Sequence, residues 1–226
     1  MSVQIRGNGG VVAEVDGTTY RAQRFATRPL DHGALGHYHV AMRTGTLPAA
    51  LIATAQLFSY RWSHATNLAI ITKLQFEFIT LAAFTAHQEV SFEAFVGRTY
   101  TTNPSAGTAA TITGNAFKKR VSMATTSVAD IRIAAAAALT AGTVTLDAQP
   151  FAVAIGTPNI NNVAAGTAFA PYKTPAALWK ANVADGEHPI VLSQNEGIII
   201  RNAIVFPAAG TGVLAVRMDW TEVTAY

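Results

Sequence analysis

Apolar residues fall on every second position through much of the chain. Phe58, Tyr60 and Trp62 share one side of a run whose other side carries Ser59 and Arg61. Leu74, Phe76 and Phe78 alternate with Lys73, Gln75 and Glu77, and Val90, Phe92, Ala94 and Val96 with Ser91, Glu93 and Phe95. Near the C-terminus Leu214, Val216, Met218 and Trp220 oppose Arg217, Asp219 and Thr221. Successive side chains leave a strand on opposite faces, so this period predicts half-buried strands. Asp16-Gly17 sits between two β-prone runs and supplies the positive φ angles of a tight hairpin turn.

Between these runs the pattern weakens. Residues 26–48 are punctuated by Pro29, Gly33, Gly36, Gly45 and Pro48, which predicts an extended arm with one short strand near His37 to Met42. The Thr/Ala/Gly-rich segment 101–115 reads as a surface loop with a short strand. In Asp130-Ile131-Arg132-Ile133 the alternation favours a strand, although the alanines that follow favour helix. Residues 143–156 read as a strand broken at Pro150. The Pro/Gly/Asn-rich run 157–189 reads as a long excursion, with one helical turn around Pro175 to Lys180. Many short strands, few helices and long loops predict an all-β fold, an antiparallel β-sandwich or jelly roll with an extended N-terminal arm. The expected division is a hairpin and arm over 1–48 and a β-sandwich domain over 49–226.

One stretch departs from strict alternation. In the run 198–206, Ile198, Ile200, Ile204 and Phe206 supply an inward face, yet Ile199, Ala203 and Val205 make the other face apolar too, interrupted only by Arg201. Two readings fit: a central strand lying under one of the long loops, or a strand covered by another subunit. Only 13% of the 226 residues are charged while 50% are hydrophobic, against roughly a quarter charged in ordinary domains. That scarcity favours the second reading and marks Ile199, Ala203 and Val205 as subunit-contact residues.

The remaining composition mostly excludes. No cysteine is present, which removes disulfides, thiolate zinc sites and cysteine nucleophiles. The formal charge of +3 is spread out, Lys118-Lys119-Arg120 being the one tight cluster. A solvated turn is the expectation there, with no nucleic-acid partner. No apolar run approaches the roughly 18 residues of a membrane helix, and the N-terminus lacks a secretory core, so no membrane partner is expected. Arg6-Gly7-Asn8-Gly9-Gly10 has no strand expected before it and does not read as a dinucleotide turn.

His37 and His39, two apart on one strand with His32 nearby, are the one metal-ligand candidate, and a hydrogen-bonded pair at a strand edge is the plainer reading. Glu77 and Glu93 would be raw material for glycoside hydrolysis if their strands paired. Tyr60, Trp62, Tyr172, Trp179 and Trp220 would form a sugar platform if exposed, though the alternating positions of Tyr60, Trp62 and Trp220 favour core or interface packing. No catalytic residue, cofactor or metal is expected.

The segments "IRGNGGVVAEVDGTTYRAQRF" and "RPLDHGALGHY", with "HPIVLSQNEGIIIRN" and "VRMDWTEV" near the C-terminus, resemble virion structural proteins of tailed bacteriophages. The resemblance implies a non-enzymatic capsid decoration or cement protein, made in the host cytoplasm and located on the phage head. It implies the major capsid protein as partner and a homo-oligomer, commonly a trimer, with residues 1–48 reaching onto the shell. Other roles compatible with the likeness are a tail, baseplate or adhesin component binding host glycan, and a virion-borne polysaccharide hydrolase.

Overall fold

The structure is a computed structural model. It describes residues 35–82, 89–156, 179–181 and 187–226, and the backbone of 5–6 and 12–13. The chain divides into two compact units, Met1–Asp31 and His32–Tyr226.

In the first unit β1 (Ile5–Arg6) and β2 (Val12–Ala13) pair antiparallel, Ile5 opposite Ala13. The glycine-rich run after Arg6 thus does follow a short strand, contrary to expectation, but leads to a second strand and not to a helix. The Asp16-Gly17 turn lies outside the described residues.

The second unit is all-β and antiparallel, with no helix among the described residues. Its strands are β3 (Gly36–Arg43), β4 (Gln56–Trp62), β5 (Leu68–Ala82), β6 (Val90–Arg98), β7 (Thr108–Ala109) and β8 (Asp130–Ile133). They continue with β9 (Thr145–Leu146), β10 (Ala152–Gly156), β11 (Trp179–Lys180), β12 (Ile190–Leu192), β13 (Glu196–Asn202) and β14 (Thr211–Val223). The first sheet runs β10-β6-β13-β4-β8-β7, with β9 also on β6. The second runs β11-β5-β14-β3, with β12 also on β5. The order is nested: β3 and β5 flank β14, while β4 and β6 flank β13.

The alternating runs explain the core. The apolar side of each expected strand is the side buried between the sheets. Tyr60 of the first sheet meets Trp220 of the second edge-on with centroids 5.3 Å apart, and Phe92 contacts Phe76 and Phe78 at 5.5 and 5.3 Å. Phe206 closes this cluster against Phe78 and Phe92. Each such side chain removed from water contributes on the order of 1.5–3 kcal/mol. Two sheets joined through one aromatic core make the sandwich arrangement that the alternation predicts.

Two local readings need correction, and one polar turn has a role its composition does not state. At the polar turn Ser193–Asn195 the chain changes sheet: β12 pairs with β5 in the second sheet and β13 with β4 and β6 in the first. The turn is therefore a crossing between sheets. Asn195 takes φ of 61° there, the Ser193 amide donates to Glu196 Oε2 at 2.7 Å, and the Tyr100 amide donates to the Asn195 carbonyl at 2.7 Å. The helical turn expected up to Lys180 ends instead as strand, Trp179 and Lys180 pairing with Leu74 and Lys73; residues 157–178 lie outside the described residues. Finally, the arm read over 1–48 includes β3, which pairs along its whole length with β14. The compact body begins at His32, because Tyr38 and Val40 belong to its core.

Loops pack against both sheets, and on the second they gather at the β3 edge and at the end of β14. Beside β3, the Tyr38 and Lys118 backbones form a bridge and the Lys119 amide donates to the His37 carbonyl at 3.0 Å. Farther along, Glu222 is buried at the end of β14 and accepts bonds from Thr126 Oγ1, the Ser127 amide and Trp220 Nε1. Tyr38 donates from its hydroxyl to the Ala124 carbonyl at 2.9 Å. Burial, reinforced by the Glu222 charge, pushes the Tyr38 hydroxyl up to about 12.

Candidate functional site: the outer face of the first sheet

Register fixes which residues share this face. Ile199 of β13 lies between Ser59 of β4 and Phe95 of β6. One position along, Arg201 pairs with Glu93, which pairs in turn with Val153 of the edge strand β10. Beyond that, the Ala203 amide donates to the Ser91 carbonyl at 2.9 Å, and Ser91 pairs with Ile155. Two rows therefore cross the face, Val153–Glu93–Arg201 and Ile155–Ser91–Ala203.

Part of the face lies under the chain's own loops. Arg61 holds one loop by donating to the carbonyls of Tyr100 (2.6 Å) and Thr101 (2.9 Å) and to Asn103 Oδ1 (2.7 Å). The Thr101 amide donates to the Thr143 carbonyl and the Leu139 amide to the Gln56 carbonyl, which carries segment 138–146 across the sheet. Tyr100 settles over Gly197, where a side chain would collide with the Tyr60 carbonyl and with the Tyr100 ring. Val144 and Ile199 both reach over Gly97. Ile199 is only 1% exposed within the single chain. The expectation that it meets another subunit is therefore corrected: a loop of its own chain covers it, as the plainer of the two readings had it. Ala203 is half-buried and Val205 is exposed.

Where the loop stops, a cleft of about 310 Å³ remains, at the small end of ligand-sized pockets. Ile52, Leu139, Val144, Leu146 and Ile199 wall it, and Arg201 supplies its charge. Arg201 Nε donates to Glu93 Oε2 at 3.1 Å, and its guanidinium carbon stands 4.2 Å from the centre of the Phe95 ring. Thr54, at the rim, holds φ of 61°, a strained conformation for a β-branched residue. Its amide donates to the Asn202 carbonyl at 2.9 Å, and Asn202 Nδ2 bonds the carbonyls of Ile52 and Ile204. That double tie sets the rim.

Around the cleft the surface is oily. Ile52 is 68% exposed, Ile155 63%, and Val153 and Val205 48% each. The bond from the Phe206 amide to the Leu51 carbonyl brings Val205 beside the turn that carries Ile52. Of these residues the sequence marked only Val205. The missed signal is Ala152-Val153-Ala154-Ile155, where β-branched residues recur at period two on a strand that has alanine on its other side.

The chemical candidates do not converge. Glu77 lies on β5 and Glu93 on β6, in different sheets, so the pair suited to glycoside hydrolysis does not form. Tyr60, Trp62 and Trp220 are buried core residues. Trp179 is half-buried, edge-on to Phe151, and Tyr172 lies outside the described residues. His37 and His39 sit on β3 opposite Thr221 and Asp219. His37 Nδ1 is 2.8 Å from Thr221 Oγ1, and Asp219 is engaged by Lys119 and Arg217. His32 lies outside the described residues, among which no three His, Asp or Glu residues cluster to hold a metal. Within the basic cluster, Lys119 is an ion-pair partner of Asp219 at 3.0 Å and no longer reads as part of a merely solvated turn.

Two aspartates titrate in opposite directions. Burial raises Asp130 on β8, and the neighbouring Arg132 and Arg61 only partly offset it. Burial acts on Asp219 in the same sense, but the Lys119 and Arg217 contacts outweigh it and lower its value. Comparison of the chain with protein-family models, with curated proteins and with solved structures finds no match.

Proposed function

We propose that this chain is a non-enzymatic structural component of a tailed-phage virion that decorates and stabilises the head as a homo-oligomer bound to the major capsid protein. The observation that carries the reading is the oily, part-covered face around Ile52, Val153, Ile155 and Val205 on a chain with few charges. Exposed apolar surface of this kind marks contact surfaces. The nested order, β3-β14-β5 in one sheet against β4-β13-β6 in the other, supports a jelly-roll reading, an architecture found in viral capsid and lectin domains. Fold alone does not assign function. The virion assignment rests on the resemblance of both ends of the chain to phage structural proteins.

A glycan-binding role in a tail or adhesin would need exposed rings, and three of the five candidate rings lie in the core. The test is addition of purified chain to heads that lack it. Co-sedimentation with heads, and resistance of the decorated heads to rupture at a temperature that breaks bare ones, is the expected result. Recovery of the chain only with isolated tails overturns the proposal.

A further inference from the structure

The face described above carries both a socket and a plug. The socket is the cleft, with apolar walls and one cation. Arg201 commits Nε to Glu93, and among the described residues its terminal nitrogens bond no other side chain. The plug is the corner where β10 meets the start of β6. Ile155 stands 63% exposed there, and Glu89, exposed, immediately precedes β6, whose first residue Val90 pairs with Gly156. One corner thus offers an aliphatic side chain beside a carboxylate, and the cleft offers an aliphatic pocket beside a guanidinium.

We infer that this face is a self-complementary contact between two copies of the chain, with Ile155 of each copy seated in the Ile52-rimmed cleft of the other and Glu89 facing Arg201. Three features single out a second copy as the occupant. Chemistry and shape match within one sequence: the plug sets Ile155 beside the Glu89 carboxylate, and the concave socket presents the terminal guanidinium nitrogens that Arg201 keeps beyond its Nε bond to Glu93. Both lie on the same side of one sheet, with β10 two strands from β13, about 10 Å at the usual strand spacing. A twofold axis parallel to that side, running between plug and socket, then brings the two faces together and sets each plug over the other's socket, the isologous geometry of most dimers. The face also holds four large exposed hydrophobic side chains, Ile52, Val153, Ile155 and Val205, and pairing the copies removes all four from water together. The inference does not depend on the head assignment, because it concerns contact between copies.

The chain contains no cysteine, so single cysteines report the contact directly. Ile155→Cys and Ile52→Cys both alter exposed positions and are expected to leave the fold intact. When the two variants are mixed and mildly oxidised, the mixed 155–52 disulfide is expected to dominate, since a disulfide forms only when the Cα atoms approach to about 4.4–6.8 Å. Dominant 155–155 or 52–52 products, products in random proportion, or no crosslink at all overturns the proposal. In parallel, Ile155→Asp is expected to weaken self-association by about tenfold or more, as loss of a central apolar anchor does. Glu89→Lys is expected to weaken it less, with the difference shrinking at high salt. Wild-type association of both variants overturns the proposal. Head co-sedimentation of the same variants reads the virion assignment separately.

Discussion

The outer faces of the two sheets are built differently, and the difference explains how loops are held on a sandwich. On the first sheet, arginines reach up to loop carbonyls, Arg61 to Tyr100 and Thr101 and Arg132 to Ala106. On the second, Asp219 accepts from Lys119 of a loop, whereas Glu222 stands on the core side of β14 beside Trp220 and takes its bonds from Thr126 and Ser127 there. The first covering buries Ile199 together with the polar Ser59 and Gln56, while the second gathers at the β3 edge and leaves Gln75 and Glu77 on β5 half-exposed. Covering a face has a cost where polar groups are buried without partners, about 1–3 kcal/mol each, and among the described residues Ser59 Oγ and Gln56 Nε2 are such groups under the first covering. A half-exposed face tolerates ordinary polar residues.

Substitutions separate the two faces, and the largest effect belongs to the first. Ile199→Asp places an unpaired charge under segment 138–146 and is expected to prevent folding, read as loss of the cooperative unfolding transition. Ile199→Ala keeps the fold and is expected to cost about 2–5 kcal/mol in urea denaturation. On the second sheet Glu222→Ala strands the donors of Thr126, Ser127 and Trp220, with an expected loss of about 3 kcal/mol. Arg61→Met releases three bonds to the 100–103 loop and is expected to cost about 2 kcal/mol. Arg61→Lys should restore little of that, because an ammonium cannot reproduce the guanidinium fork.

The aspartates sharpen the contrast through pH. Asp219 has a depressed value in the fold, so its ionised form stabilises the protein above the ordinary carboxylate pKa of about 4, and this is lost as pH falls through the folded value. Asp130 is raised, so its protonated form is the favoured one, and that contribution fades as pH rises through its folded value. Asp219→Asn should therefore cost more stability at pH 7 than at pH 3, and Asp130→Asn less at pH 7 than at pH 3. Thermal unfolding at the two pH values measures both signs. The smallest effect is expected for Glu77→Ala, within about 0.5 kcal/mol of wild type, as for other surface changes away from special features.

Much of the fold was legible because side-chain alternation is local. The faces of β4, β5, β6 and β14 follow from their own residues, and so does the break between β9 and β10 at Pro150. What lies over a face is not local. Nothing in Ile198-Ile199-Ile200 tells whether segment 138–146 or another subunit covers it, and only the Leu139 and Thr143 backbone bonds decide. Ser59 and Asp219 are polar by pattern yet buried, because loops distant in sequence fold over them. The polar residues at Ser193–Asn195 mark a turn but not where it leads, since a turn residue needs the same φ whether the next strand pairs back or changes sheet. The candidate site was legible only at its edge. Val205 and Ala203 were visible, whereas the cleft joins β4, β13 and a loop, and Ile155 gains meaning only once β10 is known to be an edge strand.

The exposed face of the first sheet stands or falls on the mass of the free protein. Sedimentation equilibrium of the full chain across the micromolar range should give a reversible species of twice the chain mass or a closed multiple of it, reduced to the single chain by Ile155→Asp. A wild-type chain that sediments as a lone monomer throughout that range contradicts the account.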